Sequence, residues 1–105
     1  MIDTNKEYIT CSAIWFDDKI KHEHQPKNIE SGYVICGHRH HNCFTTASIL
    51  QPSLEYVRNE KVQGFLTNTD RFVDREEGAK IASSAEQVQA QDKFNINRLY
   101  SEDIY

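Results

Sequence analysis

The chain has 105 residues, which leaves room for one domain with one modest hydrophobic core. Its net charge of −4 argues against binding to duplex DNA, because proteins of that class usually carry a basic surface. The chain has no run of 18 apolar residues and its polar start at residues 1–7 has no signal-peptide core, so we expect neither a transmembrane helix nor secretion. Three cysteines at irregular spacing fit a reducing compartment, and we therefore expect a cytoplasmic protein.

The N-terminal third predicts a hairpin and a further strand. Residues 8–16 alternate with the period of a strand. A turn is expected at residues 17–19, after which residues 20–24 return antiparallel. Residues 25–28 include a proline and break this pairing. The short apolar run at residues 32–37 is bounded by glycines, a pattern typical of a buried strand.

The first predicted helix spans residues 40–50. Its apolar face consists of His40, Cys43, Phe44, Ala47 and Leu50. Pro52 ends or kinks this helix, because proline cannot donate the backbone hydrogen bond that a helix interior needs. Residues 53–58 are expected to add a short second helical segment.

A strand at residues 62–67, a turn at residues 68–70 and a second main helix follow. Asp74 is the predicted N-cap of a helix over residues 75–90, because Glu77 stands three residues later in capping-box register. The predicted buried stripe of this helix is Gly78, Ile81, Ala82, Ala85 and Val88.

The aromatic tail at residues 94–105 predicts a final strand and completes the order β-β-β-α-β-α-β. We therefore expect one α+β domain over residues 1–105, a small antiparallel sheet with an N-terminal hairpin packed against two main helices. The apolar fraction of 38% is low for a globular chain, so self-association would help to stabilise it.

Residues 36–43 hold two cysteines and three histidines, which are ligands that zinc sites use. The spacing offers neither a second cysteine pair nor a clear His-x-x-x-His pattern on a helix. We therefore expect no metal site, with Cys36 and Cys43 as small core residues and the histidines capping and lining a turn.

Arginines stand at two predicted junctions of a strand and a helix. Arg39 and His40 precede the first helix, where free backbone N–H groups and the helix dipole attract anions. The planar guanidinium of Arg39 suits a phosphate, and the alternative is a pair with a surface carboxylate. Arg71 and Arg75 flank Asp74 at the second junction.

Aromatic residues lie near these junctions in the sequence or on the first hairpin. Phe65 and Phe72 flank the turn before Asp74, and Trp15 belongs to the hairpin. Rings of this kind stack on a nucleobase while donors hold the phosphates. The alternative for each ring is a place in the core.

Standard catalytic signatures are missing from the sequence: the Gly-rich phosphate loop, the Gly-x-Ser-x-Gly elbow and the metalloprotease helix. A nucleophile pair of Cys36 or Cys43 with a neighbouring histidine remains an alternative. We expect a binding protein that is not an enzyme and needs no cofactor.

Five stretches follow one another along most of the chain: Trp15-Phe16, Arg39–Cys43, Gln63–Phe65, Arg71–Glu77 and Leu99–Tyr105. Together they resemble the phage Thoeris anti-defence proteins of the sponge type. The resemblance implies a protein of the infected host cytoplasm that captures a cyclic ADP-ribose isomer (glycocyclic ADP-ribose), the signal made by bacterial TIR-domain proteins, without degrading it. It also implies a homo-oligomer, a dimer or a trimer of dimers, in which a separate site holds cyclic oligonucleotides in some members.

By position, the resemblance places Phe65 on the adenine and Arg39 and Arg98 at phosphates. Asp74 and Gly78 stand where the family has asparagine and alanine. The carboxylate at position 74 is unfavourable beside a pyrophosphate unless a neighbouring arginine neutralises it. The full set of expected ligand-binding residues is Trp15, Arg39, His40, Phe65, Asp74, Arg75, Gly78 and Arg98.

Two other classes of function stay open at this point. One is a small metal-dependent nuclease or hydrolase that uses the cluster His38–His41. The other is an inhibitor that binds a protein and no small ligand.

Overall fold

A computed structural model describes residues 6–50, 63–88 and 97–104 of the chain. Its elements are β1 (Ile9–Phe16), β2 (Tyr33–Gly37), α1 (His40–Leu50), β3 (Gln63–Thr67), β4 (Phe72–Asp74), α2 (Arg75–Ser84) and a final 3-10 turn (Ser101–Asp103). Within these ranges no helix is long and apolar enough to cross a membrane. The predicted helical segment at residues 53–58 lies outside the described residues.

The four strands form one antiparallel sheet in the order β2-β1-β3-β4. β1 is central and pairs with β2 through contacts such as Ala13 opposite Cys36. On its other side Ala13 lies opposite Gly64 of β3. The predicted α+β fold, with its N-terminal hairpin and two main helices, is confirmed.

The connection between β1 and β2 differs from the prediction, because residues 20–24 do not form a returning strand. Only Lys21 makes an isolated bridge there, parallel to Gly32. The side chains of Asp17 and Asp18 accept hydrogen bonds from the backbone N–H groups two residues onward, at 3.0 and 2.9 Å. These local bonds use backbone donors that a strand would need for its partner.

A bulge in β1 changes which side chains face the helices. Thr67 of β3 lies opposite Ile9, and the preceding residue of β3 lies opposite Cys11, so Thr10 is the extra residue of β1. Ile9 therefore shares a face with Ser12, whereas in an unbroken strand it would share a face with Cys11.

The helices pack on the sheet over two clusters of apolar side chains. The cluster under α2 comprises Ile9, Phe65, Val73, Ala79, Ala82, Val88, Leu99 and Ile104. The cluster under α1 comprises Ile14, Phe16, Cys43 and Ala47, with Tyr33, Ile35 and Phe44 packed against it. Both clusters draw on β1, so this strand ties the two halves of the core together.

Helix α1 keeps most of its predicted face. His40, Cys43 and Ala47 are buried and Phe44 is half-buried, but Leu50 is 64% exposed. The last turn of α1 therefore extends beyond the sheet.

In the second half of the chain, the three-residue strand β4 is an element that the sequence did not predict. The predicted cap is confirmed, since Asp74 accepts a hydrogen bond from the Glu77 backbone at 2.8 Å. Helix α2 ends at Ser84, earlier than predicted, and residues 89–90 lie outside the described part. The predicted final strand is wrong for residues 97–104, where a 3-10 turn is found instead.

Candidate functional site

A groove of about 620 Å³ lies between the β1–β2 connection and the junction of β4 with α2. Trp15 and Phe72 line it, with their ring centroids 6.2 Å apart. Lys19, Arg71 and Asp74 also line it. We call it the Trp15 groove. Its size falls in the range of small-molecule sites, which is about 300–1,000 Å³.

Trp15 is fixed in the groove by the connection between β1 and β2. Its indole Nε1–H donates to the carbonyl of Ser31 at 2.9 Å. The following residue, Gly32, has a φ of +82°, and a Cβ there would come within 2.7 Å of Trp15 Nε1. Only glycine therefore allows the chain to pass this close to the indole.

Asn28 fixes the opposite wall of the groove. Its side-chain amide accepts from the backbone N–H of Phe72 at 2.8 Å and donates to the carbonyl of the same residue at 2.5 Å. The amide thus binds the edge of β4 much as a further strand would. This role left no signal in the sequence, because an asparagine after Pro26 is equally typical of a plain turn.

The cationic groups of the groove are already paired with carboxylates. Arg71 donates to Glu7 at 3.0 Å and to Glu77 at 2.6 Å, and these partners raise its pKa. Lys19 lies 2.9 Å from Asp17, and hydrogen bonds from Lys19 and Ser31 lower the pKa of Asp17 to about 2. An incoming anion must therefore compete with resident carboxylates.

The start of α2 is also charge-balanced. Asp74 caps the helix, and Glu76 and Glu77 occupy its first turn. Negative side chains at this position complement the helix dipole, so they lower its attraction for a phosphate. Carboxylates do accept hydrogen bonds from ribose hydroxyls, as in dinucleotide-binding folds.

Four of the expected ligand-binding residues lie together in the core, away from the Trp15 groove. Phe65 is fully buried, with its ring 5.0 Å from that of His40 in an edge-to-face contact. A Cβ on Gly78 would lie 3.1 Å from the Phe65 ring, so the absence of a side chain there makes room for the ring. A base could stack on Phe65 only if these covering groups moved, and its role in binding stays a prediction.

Arg75, the fourth of these residues, joins the C-terminal segment to the sheet. It donates to the carbonyl of Leu99 at 2.8 Å and to the side chain of Gln63 at 2.7 Å. Its guanidinium lies 4.3 Å from the centre of the Tyr100 ring. These contacts describe a structural role, and they leave a role in binding untested.

His40 is a neutral histidine in this environment. Burial lowers its pKa to about 4, although a hydrogen bond with the carbonyl of Gly64 works in the opposite direction. Its Nε2 lies 2.8 Å from that carbonyl oxygen, so Nε2 carries the proton. His40 therefore anchors the start of α1 to β3.

The remaining expected residues, Arg39 and Arg98, lie at other places on the surface. Arg39 directly precedes α1, and its carbonyl accepts from Asn42 and Cys43 at 3.0 and 3.3 Å. The first turn of α1 contains no acidic residue, which suits an anion better than the start of α2 does. Arg98 is half-buried just before Leu99.

The histidine and cysteine cluster does not assemble as a metal site in the described ranges. No group of three or more His, Cys, Asp or Glu side chains there could hold an ion. Burial raises the pKa of the Cys43 thiol to about 12. Cys43 is therefore a thiol at neutral pH, a poor nucleophile.

The fold and the groove define a small α+β protein with a concave aromatic and charged surface. The chain belongs to the family of the phage T4 y16D protein, which it matches over residues 8–105, and it is thus a phage protein. No curated protein and no solved structure matches the chain.

Proposed function

We propose that the protein is a phage anti-defence sponge that binds a cyclic ADP-ribose isomer in the Trp15 groove and releases it unchanged. The observation that carries this proposal is the pairing of Trp15 and Phe72 with Arg71 in one groove of about 620 Å³. The resemblance to sponge-type Thoeris anti-defence proteins supplies the ligand class. The site of action is the cytoplasm of the infected host.

The groove offers a partner for each part of such a ligand. The indole of Trp15 provides a face for the adenine, since stacking on an aromatic ring is worth roughly 1–3 kcal/mol per base. Arg71 and Lys19 reach the pyrophosphate. A side-chain oxygen of Asp74 and of Glu77, which the corresponding amides would also supply, accepts hydrogen bonds from ribose hydroxyls.

In this site the adenine stacks on Trp15, whereas the resemblance had placed it on Phe65. Phe65 is fully buried, whereas Trp15 is half-buried and lines the groove. A half-buried ring already held at its N–H can accept a base without repacking the core.

Trp15 makes the proposal directly measurable because it is the one tryptophan of the chain. Titration with cyclic ADP-ribose isomers is expected to change its fluorescence, in parallel with the heat measured by calorimetry. Trp15→Ala should weaken binding about ten-fold or more. Trp15→Phe should retain most of the affinity, because it keeps the aromatic face.

The matched control is Tyr8→Ala, which removes an exposed aromatic ring outside the groove and should leave affinity unchanged. Melting temperatures of all variants separate loss of binding from loss of fold. Chromatography of ligand recovered after denaturation tests the absence of catalysis. Binding of no isomer, or recovery of an altered product, would overturn the proposal. The first outcome would favour an inhibitor that binds a protein, and the second would favour an enzyme.

A further inference from the structure

Two cysteines lie on the sheet face opposite the helices. Cys36 of the edge strand β2 lies directly opposite Ala13 of β1. Cys11 is two residues before Ala13 in β1. The pairing of β1 with β3 has no bulge between these two residues, so both side chains lie on the same face. Cys11 and Cys36 therefore point to the same face as diagonal neighbours on adjacent strands.

The two thiols differ in access. Cys36 is exposed and Cys11 is half-buried, whereas Cys43 belongs to α1 and is buried on the other face of the sheet. Diagonal neighbours have Cα atoms about 7–8 Å apart, just beyond the usual disulfide range of about 4.4–6.8 Å. Hydrogen bonding with the Cys36 thiol is among the causes that raise the pKa of Cys11, after burial and the charge of Cys36. The strand register and this electrostatic influence together place the two thiols near each other.

We infer that Cys11 and Cys36 form a reversible disulfide that joins β1 to β2 when a peroxide is present. The exposed Cys36 thiol loses its proton, and its sulfur attacks a peroxide oxygen, which breaks the O–O bond and leaves a sulfenic acid on Cys36. The hydroxide that leaves takes up the proton from the thiol and becomes water. The Cys11 sulfur then attacks the Cys36 sulfur, and the hydroxyl leaves as a second water with the Cys11 proton. Two thiols lose two electrons in total, and one hydrogen peroxide gains them.

The geometry predicts a bond that is easily reduced. Closing it requires the end of β2 to move by about 1 Å toward β1. β2 is an edge strand whose other side has no partner strand in the described sheet, so its end can make this movement. A bond closed against such a displacement is strained, and strained disulfides are the labile ones.

The experiment uses the full reduced chain and hydrogen peroxide. Intact mass under denaturing conditions is expected to fall by two hydrogen atoms, and the number of thiols that react with a maleimide to fall from three to one. Peptide mapping without reductant should link the peptides of Cys11 and Cys36. Glutathione at millimolar concentration should reverse both changes.

Variants identify the partners. Cys43→Ser should still lose two hydrogen atoms, whereas Cys11→Ser and Cys36→Ser should not. Cys11→Ser should instead gain oxygen on Cys36. A cross-link that maps to Cys43, a disulfide between two chains, or oxygen adducts on the wild-type chain would each overturn the inference. The mapping of the wild-type chain decides the matter even if a variant fails to fold.

Discussion

Phe65 and Trp15 show how two aromatic residues of one sheet receive different roles from their surroundings. Phe65 is fully buried under α2 and the C-terminal segment, whereas Trp15 lines a groove on the other face. Sequence reasoning named both as ligand-binding residues, because strand alternation cannot show which face a long connection will cover. The connection between β1 and β2 covers only part of the face around Trp15, and the uncovered part is the Trp15 groove.

The first prediction concerns Phe65. We expect Phe65→Ala to lower the free energy of unfolding by about 3–5 kcal/mol, because it removes a ring from a packed core. Phe65→Leu should cost clearly less, since it retains much of the volume. Chemical denaturation measures the free energy of unfolding, and ligand titration of the folded protein measures the affinity. Weaker binding by a Phe65→Ala protein of unchanged stability would place the ring in the site.

The second prediction concerns the Arg71 ion pairs. Glu77 holds one end of the Arg71 guanidinium at 2.6 Å. Glu77→Gln should therefore tighten binding of a pyrophosphate ligand, by up to about five-fold if an exposed pair is worth up to 1 kcal/mol. Glu76→Gln is the matched control, because it removes the same charge from the same turn. Equal effects of the two variants would show that only net charge matters.

The third prediction is a pH dependence set by His40. Its folded pKa of about 4 lies below the ordinary value of 6.5, so the unfolded state binds more protons between these values. The His40 contribution to stability is complete above pH 6.5 and falls as the pH decreases toward 4. The loss is at most about 3 kcal/mol.

His40→Gln should flatten the stability profile between pH 4.5 and 6.5 while keeping a donor for Gly64. The carboxyl groups of Glu7 and Asp17 have lowered pKa values, so their contributions are lost mainly below this range. Urea denaturation across the range measures the slope. An unchanged slope in the variant would assign the dependence to another group.

At the scale of elements, the helix cap could be predicted from a few neighbouring residues, whereas features that depend on distant strands could not. The Asp74 cap is encoded within four residues, and it forms as predicted. The bulge at Thr10 depends on pairing with β3, a partner more than fifty residues away. β4 is only three residues long and exists through its contacts with β3, so its sequence alone carries too little pattern to identify it.

The fourth prediction tests the start of α2. Asp74→Ala removes the acceptor for the Glu77 backbone N–H and should cost about 1 kcal/mol of stability. Asp74→Asn keeps an acceptor and should restore most of that stability. It also removes one negative charge from the Trp15 groove. If the sponge proposal holds, Asp74→Asn should therefore bind its ligand more tightly than the wild type. Equal stability of the alanine and asparagine variants would contradict the capping role.

At the scale of the whole molecule, the buried apolar side chains are few and form two clusters. The two core clusters are separate, and Ile49 and Leu50 at the end of α1 are 75% and 64% exposed. Large exposed apolar side chains of this kind favour association of chains. The fifth prediction is therefore a homo-oligomer, at least a dimer, at micromolar concentration.

Sedimentation equilibrium tests this prediction. A mass near 12.2 kDa over the micromolar range would contradict it. Replacing Ile49 and Leu50 together by serine should shift the equilibrium toward the monomer if the end of α1 forms the contact. Ile20→Ser, a change at another exposed aliphatic residue, serves as the control.

The central place of β1 also has a consequence during synthesis on the ribosome. β1 precedes both of its neighbours in the chain, and its second neighbour ends at Thr67. At about 5–20 residues per second, the stretch from Phe16 to Thr67 takes a few seconds to translate. During that time one edge of the central strand has no partner. A nascent chain stalled before Thr67 should therefore recruit chaperones, and one stalled after residue 105 has left the exit tunnel should not.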